Sequence, residues 1–317
     1  MLAEMQRDAL RARLLEARSG ATRAESTAPR SSEAATHRAG PRLAPPRPRT
    51  EPEIQLERLL VLAGGGKGAL SEVARILLQE GRGEGETAVA LRGAFESLAR
   101  SGELRDVALE LLLSAGTYPE DLRQLAAASC GAVQATREEA DRTVAVARTE
   151  KDPALLETLV GIVVASREAS VASLLAAAEL AVASPDALAN AGFQAISVLE
   201  GRNDPEALAA LRALAANTDS PIAEEARLAV YRRDPPIPGY LVESLEGSGT
   251  ARSAGLQACD VIVSADGTAV SDTRDLDESK GHALAVWREG ALLSVRLDAG
   301  RVGVSGEVIP RPQEAQR

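Results

Sequence analysis

The feature that most constrains this chain is a helical pattern that recurs about every 34 residues. Segments opening at Glu86 ("ETAVALRGAFESLA"), Pro119 ("PEDLRQLAAASCGAV"), Pro153 ("PALLETLVGIVVAS"), Ala187 ("ALANAGFQAISVLE") and Pro221 ("PIAEEARLAVYRR") start 33, 34, 34 and 34 residues apart. A fixed period of this length is the signature of stacked helical units. Three of the five open with Pro in the first helical turn, where the missing N–H costs nothing, and Asp152 and Ser220 stand before two of them as expected N-caps. Partner helices are expected in between, as in "ELRDVALELLLSAG" and "DPEALAALRALAANT". Each unit then reads as a helical hairpin. A lone hairpin cannot bury both of its apolar stripes, so neighbours must stack and share a core.

In these residues the run 53–234 resembles the HEAT-like repeat family, most plainly in "DPEALAALRALAANTDSPIAEEARLAVYRR" (204–233), where a Leu/Ala-rich helix meets an Asp-Ser turn and a second helix. The resemblance implies an all-α solenoid of about five units that holds protein partners on its surface. Tetratricopeptide repeats share the period, but their Trp, Gly-x-x-Tyr and Phe positions are missing here, which ranks them second.

The pattern changes at "RRDPPIPGY" (232–240), since Pro235, Pro236 and Pro238 cannot continue a helix. Beyond it, "GYLVESL" and "DVIVSADGTAV" read as strands, with Asp266-Gly267 placed for a two-residue hairpin turn, and "HALAVWREGALLSVRLDAG" adds two strands around Glu289-Gly290. The segment "GYLVESLEGSGTARSAGLQACDVIVSADGTAV" resembles the PDZ family in its run of strand, small-residue turn, short Ala-Gly-Leu helix, Asp-x-Ile and Gly turn. The resemblance covers 237–310 and implies a small, mostly β domain that captures a partner's C-terminal peptide as an added strand. It assigns the carboxylate-binding loop to Arg301, Val302, Gly303 and Val304 ("GRVGV"), in the order of the permuted domains of bacterial proteins, with Arg301 adding positive charge. An alternative is that Gly303 only marks a tight strand bend. Cys259 stands where the family has Gly, so a positive φ there would carry a steric cost. Only twelve residues, "SDTRDLDESKGH", separate Val270 from Ala283, leaving room for about two helical turns as the groove's other wall. Leu276 is its expected apolar contact, and the groove is expected to be shallow, or the domain to serve as a packing module.

Charge separates the chain into two regimes. Residues 1–50 carry ten Arg against five Asp or Glu; the remainder holds 26 basic and 41 acidic side chains, which gives the net charge of −10. An acidic body repels a phosphate backbone, and the six aromatics (Phe95, Phe193, Tyr118, Tyr231, Tyr240, Trp287) offer few stacking platforms. No nucleic-acid partner is therefore expected, although some HEAT-like proteins bind one. Residues 1–18 read as a short amphipathic helix, with Leu2, Met5, Leu10, Leu14 and Leu15 near one stripe. Residues 19–52, with "RAGPRLAPPRPRTEP", have the composition of a disordered linker, and 311–317 that of a disordered tail. No run approaches a membrane span, and the first ten residues are too charged for a signal peptide. A cytoplasmic location is expected for the chain as written; an upstream start would place it in the cell envelope. Arg far outnumbers Lys (Lys67, Lys151, Lys280), the usage of a GC-rich bacterial genome.

Chemistry-bearing motifs are sparse. Cys130 and Cys259 lie far apart and set up neither a disulfide framework nor metal-ligand spacing. Two histidines, His37 and His282, are remote from any nucleophile motif; "ARSAG" at Ser253 lacks the first Gly of a nucleophile elbow, and "GVSGE" at Ser305 is not a strand-to-helix turn. "LAGGGKGALSE" (62–72) has Gly68 after Lys67 where a phosphate loop needs Ser or Thr, so it reads as a glycine-rich link between helices. No cofactor, metal or catalytic residue is expected. The sequence thus points to a non-enzymatic protein-interaction adaptor. The alternative is a regulatory or substrate-presenting subunit of an envelope protease or secretion system.

Overall fold

A computed structural model describes residues 51–130, 134–270, 272–276 and 278–310. The expected N-terminal helix, nearly all of the linker and the tail 311–317 lie outside the described residues. The chain divides into two compact units, breaking between Val133 and Gln134.

The first unit is helical: α1 (Glu51–Leu62), α2 (Leu70–Gln79), α3 (Glu86–Arg100), α4 (Arg105–Leu113) and α5 (Glu120–Cys130). Helix α1 starts two residues inside the stretch expected to be linker. Between α1 and α2 the glycine-rich segment forms a 3-10 turn, Ala63–Ala69, with Gly66 at φ +52°, so it is the helix link its sequence implied. Helices α1, α3 and α5 pack in succession, with α2 and α4 alongside them. Phe95, Leu91 and Leu109 are fully buried in this core. Arg123, also buried, donates to the Leu112 carbonyl at 3.1 Å and so satisfies an orphan acceptor at the end of α4.

The second unit opens with α6 (Arg137–Ala147), α7 (Pro153–Ala165), α8 (Val171–Ala183), α9 (Pro185–Glu200), α10 (Pro205–Ala216) and α11 (Ala223–Arg233). Local chemistry fixes their starts. Asp152 accepts from Ala154 and Leu155 N–H, Asp204 from Ala207, and Ser170 from Ser173, while Thr136 and Glu139 form a reciprocal capping box. Pro153, Pro185 and Pro205 occupy first-turn positions. Two expectations shift here: the fourth segment opens at Pro185 instead of Ala187, and Pro221 lies in a turn ahead of α11. Ser220 Oγ accepts from Ile222 N–H at 3.3 Å within that turn.

Helices α7, α9 and α11 stack in one layer and α6, α8 and α10 in another. The repeat period is visible in the bonds that join successive hairpins. Ala135 N–H donates to the buried Ser166 hydroxyl at 2.9 Å, Arg202 donates to the Ala169 carbonyl, and Arg233 donates to the Leu199 carbonyl at 3.2 Å; these pairs are 31, 33 and 34 residues apart. Helix α7 has neighbours on several sides, and Leu155, Leu156, Leu159, Val160, Ile162, Val163 and Val164 are all buried. That explains an apolar run too broad for a single amphipathic stripe.

The same unit ends in an antiparallel sheet of β1 (Gly239–Leu245), β2 (Val261–Ala265), β3 (Thr268–Ala269), β4 (His282–Arg288), β5 (Ala291–Leu297) and β6 (Val304–Ile309), with a short helix α12 (Thr250–Ser253) after β1. The strand order is β5-β4-β2-β1-β6, with β3 paired to β2. Asp266 and Gly267 have φ +51° and +82°, and Glu289 and Gly290 +48° and +90°. Both central residues of each hairpin turn are thus left-handed, matching the right-handed twist of the flanking strands. Successive β1 side chains face opposite ways: Tyr240 and Val242 join Ile262, Leu284, Val286 and Val302 in the domain core, while Leu241 points the other way. There Leu241, Val261, Cys259 and Ile309 meet Leu228 of α11, with Tyr231, Ile237 and Trp287 packed around them. The Tyr231 and Trp287 rings meet edge to face at 5.5 Å. Strand β1 is therefore buried on both faces, which accounts for its unbroken apolar run.

Candidate functional site

The Arg301–Val304 segment leads directly into β6, and β6 lies at one end of the sheet order, hydrogen-bonded to β1. Register runs from Gly239 opposite Ile309 to Leu245 opposite Val304, with an irregularity between Val242 and Ser244. An end strand presents backbone donors and acceptors along its outer side, the template a further strand needs. The loop is anchored from within: Thr250 N–H donates to the Arg301 carbonyl at 2.9 Å, Ala251 N–H to the Val302 carbonyl at 3.1 Å, and Glu246 N–H to the Gly303 carbonyl at 2.8 Å.

Gly303 has φ +67°, and a Cβ added there would lie 2.8 Å from the Gly249 Cα. Both the left-handed conformation and the close approach of two backbones require glycine at this position. The loop's side chains divide. Arg301 is exposed and pairs with Glu246 at 2.7 Å, Val302 is buried in the domain core, and Val304 packs half-buried against it.

The segment between β3 and β4 meets this loop at Glu278. The wall expected to hold about two helical turns is a three-residue 3-10 turn, Thr273–Asp275, pinned by Asp272 and Asp275: Arg274 N–H donates to Asp272 at 2.9 Å and Asp272 N–H to Asp275 at 2.9 Å. Twelve residues must also return the chain to β4, so the segment cannot extend into a longer helix. Leu276 is only 3% exposed and packs into the same core as Val302. Leu276 therefore fills the domain from inside, and the wall's outer lining falls to other residues. Glu278 reaches the loop directly: its carbonyl accepts from Gly300 N–H at 2.8 Å and its carboxylate from Val302 N–H at 3.4 Å. Sequence reasoning missed Glu278 and Glu246, because acids 24 and 55 residues from their partners carry no local signal.

Other candidate residues fall elsewhere. Ser305 shares a 2.7 Å hydrogen bond with Ser244 across β1 and β6, and Ser253 is exposed at the end of α12. His282 is buried at the start of β4 with Nδ1 2.8 Å from Asp266, whose carboxyl is held below its usual range by the N–H of Ala283 and by His282. His37 lies outside the described residues. Burial pushes the thiols of Cys130 and Cys259 up to about 12. Asp260, fully buried beside Cys259, receives both arms of Arg288 at 2.6 and 2.7 Å and the Gln257 N–H at 2.8 Å, so this turn is locked by a satisfied ion pair. Among the described residues, no helix is long and apolar enough to cross a membrane.

At the back of the sheet Arg232 collects four carboxylates: Glu307 at 2.8 Å, Glu200 at 3.4 Å, Glu225 at 3.6 Å and Glu243. Burial works against its charge, but Glu243 and the surrounding acids outweigh that and raise its pKa. Helix α11 is tied through this side chain to both β1 and β6. No known family model matches the chain, and no curated protein matches it.

Proposed function

We propose that this protein is a non-enzymatic adaptor in which HEAT-like helical hairpins carry a C-terminal PDZ-like module that binds the C-terminal peptide of a partner along β6. The observation that carries the reading is the junction of an end strand with a glycine-shaped loop: β6 follows directly on Arg301–Val304, with Gly303 in the left-handed region. An incoming strand would hydrogen-bond to the outer side of β6 and bring its terminal carboxylate to the loop's N–H groups. Exposed Val308, near the far end of β6, would offer an apolar contact to upstream peptide residues. The stacked hairpins would supply a second protein-binding surface.

A second reading has its own support. Leu276 is turned into the core, and the opposite face of the sheet is packed on Leu228 and Tyr231. Both features suit a packing module that covers the last helix and binds no peptide.

The two readings separate in one experiment. The full chain is titrated with a pool of peptides bearing free C-terminal carboxylates and with the same pool amidated. Binding of the free pool alone supports peptide capture. Equal binding of both pools, or of neither, removes it and leaves the packing role.

A further inference from the structure

The loop assigned to a partner's carboxylate already holds carboxylates of its own chain. Val302 N–H donates to the Glu278 carboxylate at 3.4 Å, and the Glu278 carbonyl accepts from Gly300 N–H at 2.8 Å, which keeps residue 278 beside the loop. The one cationic side chain of the loop, Arg301, is engaged by Glu246 at 2.7 Å. One N–H of the loop and its guanidinium thus both face acids supplied from within the module.

We infer that Glu278 is a built-in competitor: its carboxylate sits on a loop donor that a partner's C-terminus must use, and it has to leave before that terminus can bind. The inference rests on the peptide-capture reading and adds regulation to it. Four physical points support it. A carboxylate and a backbone N–H form a charge-assisted bond, so the site has the chemistry of its proposed ligand. Glu278 is exposed, so its side chain can swing into water without opening the core. Its backbone bond to Gly300 uses the main chain, so the loop keeps that support when the side chain departs. A bound terminal carboxylate beside an undisplaced Glu278 would place two like charges at hydrogen-bonding distance from one amide, which disfavours joint occupancy.

The test uses the full chain and its Glu278→Gln and Glu278→Ala variants, each titrated with fluorescein-labelled peptides carrying free C-terminal carboxylates and with the amidated pool. Both variants are expected to bind the free-carboxylate pool roughly three- to tenfold more tightly than the parent, as for loss of one competing charge-assisted hydrogen bond, with the amidated pool unchanged. Thermal melts of the two variants are expected to lie slightly below that of the parent, by the same small free energy that the lost bond returns to peptide binding, with unfolding still cooperative. If parent and variants bind the free pool with equal affinity, the competitor role is overturned while peptide capture stands. If none of the three binds it, peptide capture itself fails and the inference falls with it.

Discussion

Cys259 holds a left-handed backbone conformation, φ +68°, that an L-residue with a Cβ adopts at a cost of roughly 1–2 kcal/mol. Its neighbours explain why the conformation persists: Cys259 N–H donates to the Val242 carbonyl and Val242 N–H to the Asp260 carbonyl, both at 2.8 Å, and Asp260 is held by Arg288. The departure from glycine noted in the sequence is thus a real strain, held in place by the turn around it. The buried thiols of Cys259 and Cys130 are expected to resist maleimide at pH 8 in the native protein and to react in urea, as followed by mass spectrometry; labelling before unfolding would show that these sites open. An acid whose pKa rises on folding leaves stability intact below its unfolded value and erodes it above. The thiols should therefore destabilise the fold only as pH climbs from 9.0 towards about 12. At Gly303, replacement by Val forces a Cβ against Gly249 in an unfavourable φ, and should lower stability by about 1–3 kcal/mol in urea titrations. Loss of peptide binding in that variant would confound folding with recognition, so Glu278 is the cleaner probe of the loop.

At the scale of elements, the contact between α11 and the sheet settles what the last helix does. Leu228 is 3% exposed and lies against Leu241, Val261 and Ile309, with Arg232 spanning to Glu243 and Glu307 above it. Leu228→Ala removes buried apolar volume at this seam and is expected to cost about 2–4 kcal/mol in chemical denaturation of the full chain. A change under 0.5 kcal/mol, within the range of ordinary surface substitutions, would mean that the seam is not packed as described. The acids around Arg232 are partly exposed, so its ion pairs add less than their number implies. The short 3-10 turn at Thr273–Asp275 shows the limit of counting residues: twelve positions had room for two helical turns, but Leu276 had to reach the core and the chain had to return to β4.

On the scale of the molecule, the second unit joins helices and sheet in one compact body. Removing 237–317 should therefore bare Leu228 and Tyr231. The shortened protein is expected to bind a hydrophobic dye and to melt at a lower temperature than the full chain. Equal solubility and an equal melting temperature would argue that the sheet covers nothing that the helices need covered.

What the sequence determined by itself is what short-range chemistry encodes. Apolar spacing of 3.6 residues placed the hairpins and Asp152 before Pro153 fixed one helix start, since each signal acts within one turn of helix. Asp266-Gly267 and Glu289-Gly290 placed the tight turns, because only a few residues tolerate two successive positive φ angles. Gly303 was singled out only through the family resemblance, with a tight strand bend as the alternative, and its φ of +67° fits either reading. Tertiary structure alone decided which residues meet across long separations: Leu228 with Leu241, Arg232 with Glu307, and Glu278 with Val302. Such pairings depend on where distant elements come to rest in three dimensions, and side chains such as Glu and Leu look the same in sequence whether they end against solvent, a sheet or a loop amide.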